Sequence, residues 1–118
     1  WLINKGIVSK SQLYNLLFFS KCLCVPLKFG SGTRIKIIEA LSLGAVVIST
    51  KIGIEGIKLN STNPPFIINK DIKIIKKICQ IIKENKKFKK KAINLSDFYL
   101  KNYSMKNILK KFIYENKI

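Results

Sequence analysis

Gly30-Ser31-Gly32-Thr33-Arg34 and, five residues on, Glu39 are the groups in this sequence best suited to gripping a charged ligand. Two glycines in a turn let backbone amides come close to an anion. Amides that open a helix have no partner inside it, so a negative group is favoured there. Arg34 is the one guanidinium among 23 basic side chains. Its planar fork suits two-pronged contacts with phosphate or carboxylate that an ammonium cannot copy. A salt bridge from Arg34 to Glu39 or Glu55 is the structural alternative. Glu39 is one of two acids in the first 70 residues of a chain with formal net charge +17. A carboxylate can accept from both hydroxyls of a ribose; a solvated side chain, or a pair with Lys36 or Arg34, is the alternative. The step from Thr33 to Glu39 is about 9 Å along a helix, close to the reach from a sugar nucleotide's diphosphate to its ribose.

These residues need a strand, a loop and a helix in that order. Cys22 to Val25 reads as a buried strand, Lys28 to Gly32 as the loop, and Thr33 to Leu43 as the helix, with Gly44 as its left-handed stop. Ala45 to Ser49 is a continuous apolar run of the kind expected for a strand covered on both faces. Upstream, Trp1 to Ile3 and Gly6-Ile7-Val8 read as strand, and Ser9-Lys10-Ser11-Gln12 has capping-box spacing ahead of a helix that ends near Ser20. Downstream, Thr50 to Asn63 is loop, and Phe66 to Ile68 is the last strand. From Lys70, Ile72, Ile75, Ile78, Cys79 and Ile82 form the apolar stripe of a helix. Further helices are expected over Phe88 to Leu100 and from Ser104, the latter carrying Ile108, Leu109 and Phe112. Strands alternating with helices in this way predict a parallel sheet flanked by helices, whose ligands sit at the carboxyl ends of the strands. The loop after Val25 lies there.

Other chemistries are disfavoured. A dinucleotide fingerprint would need a third glycine where Ile35 stands, and no Gly-Lys-Ser/Thr ending makes a P-loop. Three cysteines, Cys22, Cys24 and Cys79, with no His in the chain, leave a zinc site without its usual nitrogen ligands. Alternating Cys22 and Cys24 suit a buried structural role. At 47% apolar and 25% charged the composition is that of a globular chain, with no apolar run of the roughly 18 residues that a membrane span needs. The lysines are spread out and thicken toward the C-terminus, which reads as solvated faces more than as a nucleic-acid arm. An anionic membrane surface would explain part of the charge.

The stretch from Val25 to Gly56, with Gly-x-Gly-Thr-Arg-x-Lys-x-x-Glu-Ala followed by Gly-x-x-Val-Ile-Ser-Thr, resembles the donor-binding domain of family 4 glycosyltransferases. These are retaining enzymes of two-domain GT-B architecture. The resemblance covers nearly all of residues 1–118 and implies a partial Rossmann-like domain with a helical C-terminal segment. It implies that Gly30, Ser31, Gly32 and Thr33 face the diphosphate and sugar, and that Glu39 contacts the ribose. The partner acid of that family falls on Ser31, so the contact to the donor-sugar hydroxyls is unassigned. Gly6, Ile7 and Val8 fall where the family presents backbone to the nucleobase, and Asn102-Tyr103-Ser104 resembles the start of its closing helix. Roles for Arg34 and Glu55 are open. The catalytic Arg/Lys pair and the acceptor domain are expected upstream of Trp1, so this chain alone should not transfer sugar. The resemblance implies a nucleotide-sugar substrate, no metal or other cofactor, and an acceptor (glycan, lipid or small molecule) not identified by the residues. It implies a cytoplasmic enzyme, with contact at the inner membrane face as a further expectation. The rivals are a lysine-rich nucleic-acid-binding module, which lacks any recognisable motif, and a non-catalytic relative, which Ser31 keeps in play.

Overall fold

The computed structural model describes residues 3–30, 34–61 and 64–103. Its elements in chain order are α1 (Lys10–Phe19), β1 (Leu23–Val25), α2 (Ile35–Ser42), β2 (Val47–Ser49), β3 (Phe66–Ile67), α3 (Asp71–Lys83) and α4 (Asn85–Tyr103). The strands form one parallel sheet in the order β1-β2-β3, with Leu23 opposite Val47 and Ile48 opposite Phe66. This is the predicted α/β architecture, a partial Rossmann-like sheet flanked by helices and followed by a helical C-terminal segment.

Central β2 explains the apolar run. Ala45 and Val47 face one cluster, built with Leu17, Ile37, Leu41, Ile54 and Tyr99. Val46 and Ile48 face the opposite cluster, with Ile74, Ile81, Phe66 and Phe88. Side chains alternate across a strand, so an unbroken apolar segment is what two covered faces require. Each fully buried Ile or Val contributes about 1.5–3 kcal/mol relative to exposure. Helix α4 serves both faces: Phe88 and Ala92 join the second cluster, while Leu95, Phe98 and Tyr99 join the first.

The caps agree with the sequence at α1 and α2. Ser9 accepts from the Gln12 amide at 3.3 Å while the Gln12 side chain accepts from the Ser9 amide at 2.9 Å, and Ser20 ends that helix. Beyond α2, Ala45 N donates to Ala40 O (2.9 Å) and Gly44 N to Leu41 O (3.1 Å), with Gly44 at φ +75°. These two bonds are a Schellman closure, which needs a left-handed residue at that position. Gly44 serves a second purpose, because a Cβ there would lie 3.0 Å from Ile93 Cγ1 on α4.

Three expectations change. Residues 3–8 form no strand, while Trp1 and Leu2 lie outside the described residues: Gly6 turns at φ +61°, its amide held by Asn4 Oδ1 at 2.8 Å, and among the described residues the β1 ladder recruits only β2. Helix α4 starts at Asn85, with Glu84 alone between it and the end of α3, and runs on to Tyr103. On α3 the buried face is Ile74 and Ile81 with half-buried Ile78, while Ile72, Ile75, Cys79 and Ile82 are exposed. Isoleucines occupy so much of this helix's circumference that periodicity does not decide which arc meets the sheet; Val46, Ile48 and Phe66 do. On α2, Glu39 and Ser42 are enclosed together with Ile37, Ile38, Ala40 and Leu41. The expected helix from Ser104, with Ile108, Leu109 and Phe112, lies outside the described residues.

Candidate functional site

The polar residues at the carboxyl ends of the three strands bind each other's backbone. Thr50, following β2, donates its hydroxyl to Leu27 O at 2.5 Å and accepts from the Gly53 amide at 3.1 Å. Ser49 Oγ lies 2.9 Å from Thr50 O and 3.4 Å from Val25 O. Asn69, beyond β3, accepts from the Lys51 amide at 3.0 Å. A side chain at Gly53 would collide with Ser49 Oγ and lie 3.1 Å from Val25 O. The turn over residues 51–56 is therefore seated on the ends of β1 and β2, and it fixes where the chain leaves β1 toward the glycine loop.

Lys28 in that loop reaches Asp71 at the start of α3, 3.1 Å away. Both side chains are largely exposed, so the pair contributes at most about 1 kcal/mol. It sets direction more than stability. Next, Gly30 stands at φ +125°, and a Cβ there would come 2.6 Å from Arg34 Nη2. The half-buried guanidinium thus lies against the loop, just ahead of α2. Arg34 is the N-cap of α2 and caps it with no side-chain hydrogen bond. The structure brings Gly30 and Arg34 together; Ser31, Gly32 and Thr33 lie outside the described residues.

Glu39 sits in the second turn of α2 and is only 6% exposed. Among the described residues its hydrogen bond comes from the Tyr14 hydroxyl of α1, which donates to Oε1 across 3.5 Å. That exceeds the usual 2.5–3.0 Å for such a bond. The solvated alternative for Glu39 is excluded, and Lys36, the lysine suggested as its partner, is exposed. One turn on, the buried Ser42 hydroxyl has no hydrogen-bond partner among the described residues. Burying an ionised carboxylate is costly unless good hydrogen bonds replace its water. One long bond replaces little of it. Chemically, such a carboxylate can accept from hydroxyl donors.

Tyr14 was missed by the sequence reading. The signal was present: it precedes buried Leu17 by three residues, so both share one face of α1. Glu55 is exposed in the 51–56 turn. Ile7 is fully exposed and Val8 half-buried in a shallow groove of about 510 Å³ that includes Gln12, Asn15 and Phe19. Cys22 and Cys24 are half-buried against the second cluster. Burial pushes both thiols above their ordinary range, and Cys24 adds to the effect on Cys22; this fits the structural role expected of them. Among the described residues no helix is long and apolar enough to cross a membrane.

No family model matches the chain, and no solved structure matches it. Among curated proteins it is similar to an uncharacterised 44.6 kDa protein in the cps region of Klebsiella pneumoniae, 28% identical over 101 residues, or 85% of this chain. The chain spans about a quarter of that relative's length (26%).

Proposed function

We propose that the chain is the donor-binding part of a glycosyltransferase, one that moves a sugar from a nucleotide donor to an acceptor. The observation that carries this reading is the enclosed Glu39 carboxylate with its single long hydrogen bond from Tyr14. It stands on the helix that follows a glycine loop at the carboxyl edge of a parallel sheet, the edge where such folds take ligands. In this reading Glu39 accepts from the ribose hydroxyls. The amides opening α2, with Arg34 beside Gly30, balance the charge that grows on the departing diphosphate, an electrostatic contribution made by groups already in place. The similarity to a protein in a cps region adds support of a coarser kind. Membership of family 4, retention at the anomeric carbon and the inner-face location are finer parts of the proposal, and they rest on the motif resemblance.

Calorimetric titration of the chain with uridine and guanosine diphosphates tests the reading. Saturable binding of one of them, weakened at least about tenfold by Glu39→Gln, is expected, because a hydrogen bond to a charged group carries about 1.5–3 kcal/mol. Binding to unrelated DNA and RNA that disappears with salt and ignores Glu39→Gln would instead support the lysine-rich nucleic-acid module.

A further inference from the structure

Helix α3 has two apolar faces, and the sheet covers only one. Ile74 and Ile81 are buried. Ile72, Ile75 and Ile82 keep 60%, 55% and 53% of their surface, and exposed Cys79 completes the row. The spacing of these four positions, three, four and three residues, sets them in one line along the helix. Exposed Lys76 and Lys83 fall on the arc beside that line, with Lys73 beyond them. Between residues 70 and 103 there are eleven lysines against three acids.

We propose that this face of α3 lies on a bilayer with anionic headgroups. A helix in the interfacial plane needs an apolar line to sink among the acyl chains and basic side chains to meet phosphates; α3 has both. Charge decides against the other occupants. A second copy would bring the Lys73, Lys76 and Lys83 rows together, like against like. A nucleic acid would satisfy the lysines and leave the isoleucines in water. Base stacking on this face would need exposed aromatics there, whereas Phe66 and Phe88 pack edge to face at 5.5 Å in the second cluster and exposed Phe18, Phe19 and Phe29 lie outside α3. The Lys28–Asp71 contact ties the amino end of α3 to the glycine loop. A membrane under α3 therefore lies beside the carboxyl edge of the sheet. The inference does not depend on the nucleotide reading.

Flotation of the chain with phosphatidylcholine vesicles, with and without phosphatidylglycerol, tests it. Binding only to the anionic vesicles is expected. Ile75→Asn/Ile82→Asn and Lys76→Gln/Lys83→Gln should each weaken it by about tenfold or more, while Glu39→Gln leaves it unchanged. All these positions except Glu39 are exposed, so the thermal midpoint serves as the check on folding. Three results overturn the proposal: no binding to anionic vesicles by the unaltered chain; binding indifferent to the isoleucine pair in a folded variant; or a dimer in sedimentation equilibrium that the isoleucine pair dissolves. Failure here with diphosphate binding intact would leave the donor reading standing.

Discussion

Glu39 and Ser42 are costs that the fold carries without evident return. A hydroxyl buried with no partner loses about 1–3 kcal/mol of hydration, and a carboxylate held by one 3.5 Å bond loses more than that bond restores. Ser42→Ala should therefore leave the urea midpoint unchanged or raise it, and Glu39→Gln should do the same while weakening nucleoside-diphosphate binding. A marked loss of stability in Glu39→Gln would mean the carboxylate is structural, and the site argument would fail with it. The thiols give a contrary example, in which burial brings no chemistry. An unfolded thiol titrates near about 8.5, and the folded chain holds the Cys22 and Cys24 protons more tightly than that. Their contribution to stability is thus complete below about pH 8.5 and is lost as pH rises through the folded values. Between about pH 8.5 and 10 the urea midpoint should fall more steeply than in Cys22→Ala/Cys24→Ala. At pH 8 iodoacetamide should modify exposed Cys79 well before either. Residue type and spacing made Glu39 and Arg34 visible in the sequence. The spacing of Tyr14 to Leu17 places it on the inner face of α1, but its contact with Glu39 arises only where α1 meets α2.

At the scale of elements, local signals were legible where the chain's own chemistry settles the outcome. Ser9 and Gln12 form the capping box that their spacing announces, Gly44 closes α2 as a left-handed residue, and the run from Ala45 to Ser49 is covered on both faces. What was not legible depended on partners far along the chain. Nothing local tells Ile74 from Ile75; only Val46 and Ile48 across the interface do. Segment 3–8 has β-forming residues, yet a strand exists only when a neighbour accepts its ladder. Gly44 combines both kinds of constraint, and its substitution is informative for that reason. Gly44→Ala must hold a Cβ at φ +75° and press it within 3.0–3.1 Å of Ile93 on α4. Strain alone costs about 1 kcal/mol, and crowding a packed interface adds about 1–3 kcal/mol. A fall of about 2–4 kcal/mol in unfolding free energy is expected from urea titration. A loss below about 1 kcal/mol would show that α2 and α4 separate easily and that the first cluster does not depend on their close approach.

For the whole molecule the governing quantity is the net charge of +17 on 118 residues. Salt screens attractions and repulsions alike, with a Debye length of about 10 Å at 0.1 M, so its net effect depends on which dominate. Attractions are scarce: among the described residues the ion pair within 4.0 Å is Lys28–Asp71, on the surface. Repulsions are many, and some are close. Lys89 is a clear case, its pKa lowered by burial and further by nearby Lys21; its ammonium donates to Phe18 O at 2.6 Å, tying α4 to α1 against that repulsion. Adding sodium chloride to about 0.5 M should therefore stabilise the chain, raising the melting midpoint by several degrees, since about 1 kcal/mol corresponds to roughly 4–8 °C in a domain of this size. The same salt should weaken attachment to anionic vesicles, where lysines meet opposite charge. Stability and membrane affinity thus respond to one variable in opposite directions. A melting midpoint that falls with salt would mean that attractions, not lysine repulsion, dominate the surface, and the charge argument for a bilayer partner of α3 would lose its basis.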